Sequence, residues 1–164
     1  MTLEPKLRSL DELRSECQQW GNQGLTVVLA NGAFDLLHVG HVRYLEAARA
    51  LGDRLVVAVN SDQSVRASKG PRRPIMPEGE RVELLSHLQM VDRIVLFDER
   101  TVGAVLEALR PQVHAKGTDY TEATVPEREV VAAYGGRTAI CGDPKDHATT
   151  DLIAVILDRF GPGS

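Results

Sequence analysis

His38 and His41 are the residues of this chain best suited to chemistry, and only Val39 and Gly40 separate them. They close the run Asn31-Gly32-Ala33-Phe34-Asp35-Leu36-Leu37-His38-Val39-Gly40-His41. An apolar stretch, residues 25–30, precedes it, and a helix-like stretch, residues 42–51, follows. The order reads as a strand, a glycine-containing turn and a helix start. Such a turn gathers backbone N–H groups and the positive end of a helix dipole at one point, which suits a phosphate. Gly40 allows backbone or phosphate to come close. Two imidazoles there can donate hydrogen bonds to oxygens that gain charge in a transition state.

Three further segments carry reactive or anion-binding residue types. Lys69-Gly70-Pro71-Arg72-Arg73-Pro74-Ile75 holds three cations in a loop stiffened by two prolines, fit to clamp a phosphate. Taken alone it is also an ordinary solvated basic loop. Lys116-Gly117-Thr118-Asp119-Tyr120 offers a cation for phosphate, and Asp119 and Tyr120 for hydroxyls. By spacing alone it is equally a turn. Ala148-Thr149-Thr150-Asp151 opens the last helix, where Thr or Asp can cap it or add donors to an anion site.

These segments need a frame to bring them together. Ser9-Leu10-Asp11-Glu12 has the capping-box pattern, and Leu10, Leu13, Cys17 and Trp20 follow at helical spacing. Strands are expected at residues 25–30, 54–60, 93–97, 112–115 and 137–141. Helices are expected at 42–51, 78–90, 101–109, 126–134 and 149–160. Five strands alternating with helices predict an α/β fold. It is a Rossmann-like open sheet of about five mostly parallel strands with helices on both faces, in a single domain over residues 1–164. The strands lack clean two-residue alternation, as expected when both faces are covered. Ligands of such sheets sit beyond the strands' C-terminal ends. The segments there are 31–41, 61–77, 98–100, 117–125 and 142–150, which hold the residues singled out above.

Composition removes several function classes. A net charge of -4 leaves no basic footprint for nucleic acid or for acidic membranes. No run reaches transmembrane length, and residues 1–6 contain no apolar signal core, so a cytoplasmic protein is expected. Cys17 and Cys141 have no metal-like spacing and read as reduced core thiols.

The run ending in His-Val-Gly-His resembles the His-x-Gly-His element of the nucleotidylyltransferase superfamily. The other segments resemble its cytidylyltransferase-like branch, and within that the heptose 1-phosphate adenylyltransferase domains of ADP-heptose synthases. The matching stretches are 31–41 with His41-Val-Arg-Tyr-Leu-Glu-Ala-Ala-Arg49, Val59-Asn60-Ser61-Asp62, Lys69-Gly70, Arg73-Pro74-Ile75, Glu80-Arg81, Lys116-Gly117 with Asp119-Tyr120, and Thr149-Thr150. Two features depart from the branch. Ala148 stands where a serine is usual, and the run Gly142-Asp143-Pro144-Lys145-Asp146-His147 is unusual. Lys145 or His147 is a candidate to compensate.

The resemblance implies transfer of a nucleotidyl group from ATP to a sugar 1-phosphate, D-glycero-β-D-manno-heptose 1-phosphate, with release of pyrophosphate. It assigns catalysis to His38, His41 and Lys69. It assigns nucleotide and phosphate binding to Asn31, Gly32, Ala33, Phe34, Asp35, Gly40, Arg73, Thr149 and Thr150, and acceptor binding to Asn60, Asp62, Lys116, Asp119 and Tyr120. Mg²⁺ is expected to travel with the triphosphate, with Asp35 its one candidate contact. A homodimer is expected, and a separate sugar kinase as supplier of the acceptor, because the kinase domain often fused in front is not in this sequence. The alternatives are a glycerol- or alditol-phosphate cytidylyltransferase, an FAD synthetase-like adenylyltransferase, and a nucleotide-binding regulatory module without turnover.

Overall fold

The computed structural model describes residues 6–144 and 146–163. Helices α1 (Leu10–Asn22), α2 (Val39–Arg49), α3 (Asp62–Lys69), α4 (Glu78–Ser86), α5 (Gly103–Leu109), α6 (Arg128–Ala133) and α7 (Thr149–Phe160) interleave with five strands. These are β1 (Val27–Gly32), β2 (Arg54–Asn60), β3 (Arg93–Phe97), β4 (Val113–Lys116) and β5 (Arg137–Ile140). The sheet runs β3-β2-β1-β4-β5, and every pair is parallel. The expected "mostly parallel" sheet is therefore wholly parallel among the described residues.

The two-residue period of each strand divides the core in two. Val28, Ala30, Leu55, Val57 and Val59 face one side, with Leu45 of α2 and Leu85 of α4. Val27, Leu29, Val56 and Ala58 face the other, with Leu13 of α1, Leu106 of α5 and Val131 of α6. Both faces are covered, so apolar residues occupy both phases of the strands and no alternation shows in the sequence. The chain leaves β1 toward β2 on one side, and β4 lies on β1's other side. Loops leaving neighbouring strands in opposite directions open a crevice at this switch point.

The element boundaries moved where turn chemistry outweighed periodicity. Ser9 caps α1 through the expected capping box with Glu12. The helix expected at 42–51 starts earlier, because His38 itself is the N-cap of α2. The helix expected at 78–90 stops at Ser86. Residues 62–69, expected as loop, form α3, capped by Ser61, whose hydroxyl accepts from Ser64 N. Only Val65 among the apolar side chains of α3 is buried, so the segment carried no apolar stripe to announce a helix.

Candidate active site

A cleft of about 780 Å³ lies beyond the C-terminal ends of the strands, large enough for a nucleotide-sized ligand. The loop after β1 forms its floor. In that loop Phe34 and Leu36 hold left-handed φ values of 52° and 49°, an uncommon backbone state that non-glycine residues keep where the surroundings enforce it. Phe34 is buried, and its ring tilts against His41 at 5.4 Å between centroids. A Cβ on Gly32 would press to 3.3 Å from that ring, so Gly32 makes room for the residue that props His41.

The histidine pair is held by backbone. Nδ1 of His38 accepts from Gly40 N at 3.1 Å, and Nδ1 of His41 accepts from His38 N at 3.2 Å. An imidazole nitrogen that accepts cannot carry the proton, so each neutral ring keeps its proton on Nε2. Both rings are thereby set as Nε2–H donors. They stack with centroids 3.8 Å apart and planes 24° apart, and both line the cleft. A Cβ on Gly40 would come within 2.9 Å of the His38 ring and 3.1 Å of His147 Cβ. Gly40 is required by this packing.

Asp35 is the hub of the site. It is 2% exposed. Its Oδ2 accepts from Ile75 N at 2.8 Å and from Arg73 Nε at 3.2 Å, and its Oδ1 from Met76 N at 2.9 Å. Burial alone would raise its pKa, but the two backbone donors and the Arg73 guanidinium outweigh it and hold the carboxyl below its usual range. Its backbone carbonyl accepts from Thr149 Oγ1 at 2.6 Å. One residue thus ties the first loop to the Arg73 loop and to the start of α7. Asp35 was the candidate contact for Mg²⁺. With three donors on its carboxylate it does not suit a metal, and the described residues hold no group of three or more metal-ligating side chains.

Arg81 does the same work from below. It is 1% exposed, and its guanidinium donates to the carbonyls of Ala33, Asn60 and Met76 and to Asp62 Oδ1. Asp62 also accepts from Glu78 N, and its own N–H donates to Glu78 Oε2. This corrects the assignment of Asp62 to the acceptor. Its carboxylate faces Arg81 and the first turn of α4, and it does not line the cleft. Asn60 lines it, but its Nδ2 donates to Ser64 Oγ at 3.0 Å.

The other loops complete the walls. Lys69 ends α3 on the cleft, and Gly70 turns the chain there with φ 94°. Lys116 Nζ lies 4.4 Å from the centre of the Tyr120 ring, a cation–π contact that holds both residues at the end of β4. Gly117 accepts the turn bond from Tyr120 N, and a Cβ there would meet Asp119 at 3.1 Å. Asn31 Oδ1 lies 2.8 Å from Nε2 of His114, which is fully buried. Burial, with Lys116 nearby, pushes the His114 pKa down to about 3, and its Nδ1 finds no hydrogen-bond partner. Neutral His114 fixes the Asn31 amide from behind. Residue type gave no signal for this, because His114 sits mid-strand among apolar neighbours.

At α7 the expected caps are absent. The N-cap is Ala148 and makes no side-chain cap bond. The Thr149 hydroxyl proton goes to Asp35, leaving Thr150 and the helix-start amides to face the cleft. His147 stands here too, its ring 6.5 Å from that of His38 and its Nδ1 2.5 Å from Asp146. Lys145, the other candidate for compensation, lies outside the described residues. Cys141 lines the cleft, half-buried, with its thiol pushed up to about 11 by burial. Only Cys17 is fully a core residue.

A wholly parallel sheet with backbone-oriented histidine donors, buried-carboxylate bracing and cations at its switch point defines a phosphate-handling α/β enzyme. The family model described as cytidylyltransferase-like matches residues 29–157, and the chain belongs to that family of nucleotidyltransferases. It is 45% identical over 160 residues to the bifunctional protein HldE of Syntrophotalea carbinolica, covering 98% of this chain and 33% of that protein. It is 47% identical over 148 residues to the bifunctional protein HldE of Methylobacillus flagellatus, covering 90% and 30%. The chain thus spans about a third of the length of these relatives. Among solved structures, the lipopolysaccharide core biosynthesis protein of Thermoplasma volcanium matches with a TM-score of 0.64 and 32% identity, over 74% of this chain and all of that one. A pantoate-beta-alanine ligase of Francisella tularensis shares the fold, with a TM-score of 0.58 at 13% identity over 92% and 76%. No helix among the described residues is long and apolar enough to cross a membrane.

Proposed function

We propose that this chain transfers the adenylyl group of ATP to a sugar 1-phosphate, D-glycero-β-D-manno-heptose 1-phosphate, with release of pyrophosphate. The observation that carries the reading is the backbone lock on His38 and His41, which aims two Nε2–H donors into a cleft that also holds Lys69 and Arg73. Relatives described as HldE, and a structural neighbour described as a lipopolysaccharide core biosynthesis protein, support a heptose acceptor.

In this reading an acceptor phosphate oxygen attacks the α-phosphorus in line. A new P–O bond forms as the bond from that phosphorus to the bridging oxygen breaks, and pyrophosphate carries the electron pair away. The attacking group is already anionic, so no side chain has to remove a proton. Catalysis rests on position and charge stabilisation. The two Nε2–H groups meet the α- and β-phosphate oxygens, where charge develops. Lys69 and Arg73 neutralise phosphate, with Arg73 held in place by Asp35. Thr150 and the amides at the start of α7 hold the outer phosphates. Lys116, Asp119 and Tyr120 meet the acceptor. Mg²⁺ enters as part of the nucleotide substrate, since hard, hydrated Mg²⁺ needs few protein ligands when phosphates supply them. A sugar kinase activity supplies the acceptor.

The test is pyrophosphate release from ATP, CTP, GTP and UTP, each with the β- and α-anomers of heptose 1-phosphate and with glycerol 3-phosphate. ATP with the β-heptose 1-phosphate is expected to turn over best. Efficient use of CTP with glycerol 3-phosphate, and none of ATP with either heptose, would overturn the substrate assignment. No release with any pair would favour the regulatory module.

A further inference from the structure

Two buried side-chain polar atoms meet no hydrogen-bond partner among the described residues, His114 Nδ1 and Glu127 Oε2. The first is the unprotonated nitrogen of a neutral ring in the core, and an unmatched acceptor of that kind is a modest cost. The second is a carboxylate oxygen, for which losing water without gaining a donor costs far more. Glu127 is 8% exposed and lines the cleft. It stands at the start of α6, where a carboxylate suits a helix cap, yet it makes no side-chain cap bond. The fold gives this oxygen no donor.

Glu127 belongs to the wall of the cleft opposite the histidine pair. His38 and His41 open α2, and His147, just before α7, packs beside Gly40. Leu45 places α2 on one face of the sheet. Val131 places α6 on the other, where it packs against α5. Phe97 and Val102, buried on that second face, line the cleft together with Glu127. In the reaction proposed above, pyrophosphate leaves toward the amides that open α7. In-line displacement puts the attacking oxygen on the opposite side of the α-phosphorus. The acceptor therefore approaches from the α6 side, and the donors it brings are its hydroxyl groups.

We infer that Glu127 reads the hydroxyl groups of the acceptor: its carboxylate accepts hydrogen bonds from two neighbouring hydroxyls of the sugar phosphate that attacks ATP. The inference rests on the reaction as read above. An ionised carboxylate accepts at both oxygens and donates nothing, so it favours a polyol and rejects an analogue that lacks the hydroxyls. The last torsion of a Glu side chain is broad, so a small turn brings Oε2 to the cleft. That oxygen is already out of water, which strengthens the bond it forms and leaves little to displace. Asp119 and Tyr120 lie in the same connection between β4 and α6 and also line the cleft, so one segment carries all three hydroxyl-bonding groups. The ribose of ATP offers the same pair of neighbouring hydroxyls, and the experiment separates the two sources.

Initial-rate kinetics of Glu127→Ala and Glu127→Gln with ATP and β-heptose 1-phosphate test this. The acceptor kcat/KM is expected to fall by about 10- to 100-fold, the worth of a hydrogen bond to a charged group, with the KM for ATP within about twofold of wild type. Monodeoxy forms of the acceptor are run alongside. The form lacking a contacted hydroxyl is expected to be poor with the wild type, and with Glu127→Ala no worse than the parent sugar. The melting temperature of Glu127→Gln is expected to match or exceed that of the wild type, because the substitution removes a desolvated charge without a partner. An unchanged acceptor kcat/KM overturns the inference. So does a raised KM for ATP with lost discrimination against 2′-deoxy-ATP, which would seat the ribose at Glu127. A lowered melting temperature with normal acceptor kinetics overturns it too and makes Glu127 structural. Wild-type turnover of CTP with glycerol 3-phosphate, in place of ATP with heptose, overturns the substrate assignment alone; the same variants are then read against glycerol 3-phosphate, which also carries two neighbouring hydroxyls. A wild-type chain that turns over neither pair overturns the reaction, and the role of Glu127 with it.

Discussion

Replacing Asp35 by asparagine probes the brace on which the site depends. The substitution keeps the shape and removes the charge. If the amide oxygen takes the Oδ2 position, it still accepts from Ile75 N and Arg73 Nε, but the amide nitrogen then faces Met76 N, one donor against another. An orphaned buried donor costs about 1–3 kcal/mol, and the loss of charge weakens the two remaining bonds. The sum is about 2–4 kcal/mol. For a chain of this size that lowers the melting temperature by about 5–15 °C. The loss falls on the docking of the Arg73 loop, so the KM for the nucleotide should rise by about tenfold or more, at roughly tenfold per 1.4 kcal/mol, while kcat changes less. Melting curves and initial-rate kinetics on the same preparation read both effects. Unchanged stability would refute the brace. A lowered melting temperature with unchanged KM would confine Asp35 to holding the fold. The pH dependence has the matching sign. The depressed pKa of Asp35 stabilises the wild type above the ordinary carboxylate range, and that contribution is lost as pH falls through the folded value.

Three other outcomes follow from the same geometry. His41→Ala should lower turnover by about 10²–10³-fold, as loss of one preoriented donor does, with little change in nucleotide affinity; near-normal rates in a folded variant would remove His41 from catalysis. Lys69→Ala should weaken nucleotide or acceptor binding by roughly 1.5–3 kcal/mol, the worth of a charged hydrogen bond, and leave thermal stability unchanged because the side chain is exposed; titration calorimetry separates the two. His114 is neutral when folded, with a pKa near 3 against an ordinary 6.5, so its contribution is full above pH 6.5 and declines as pH falls toward 3. Between pH 7 and 5 the wild type should lose about 2 kcal/mol more than His114→Gln, at up to about 1.36 kcal/mol per pH unit, as read by urea unfolding; equal losses would show that His114 charges freely in the folded protein.

Much of this molecule was legible in residue order. The alternation of apolar runs and helical periods specified a parallel α/β sheet, because a parallel strand needs a crossover and both faces need cover. The strand at residues 93–97 and the helix at 149–160 were placed to the residue. Gly40 marked a close approach, and His-x-Gly-His at a strand-to-helix turn marked residues that line the cleft. These are local signals, written in neighbours along the chain.

The tertiary structure decided which of the candidate side chains point at the cleft and which are spent on holding it. Asp62 and Asp35 are both acidic residues just after strands, and nothing local separates them. Arg81, 19 positions away, draws Asp62 out of the site, while Ile75, Met76 and Arg73, about 40 positions away, commit Asp35 to bracing. The Thr149 hydroxyl was a natural phosphate donor, but the fold has it donate its hydrogen bond to a carbonyl 114 positions distant. His114 reads as a strand residue and turns out to fix Asn31 across the sheet. A hydrogen bond forms between groups that the fold brings within 3 Å, whatever their separation in sequence. Residue types therefore tell which groups can bind a phosphate, and packing alone tells which remain available to do so.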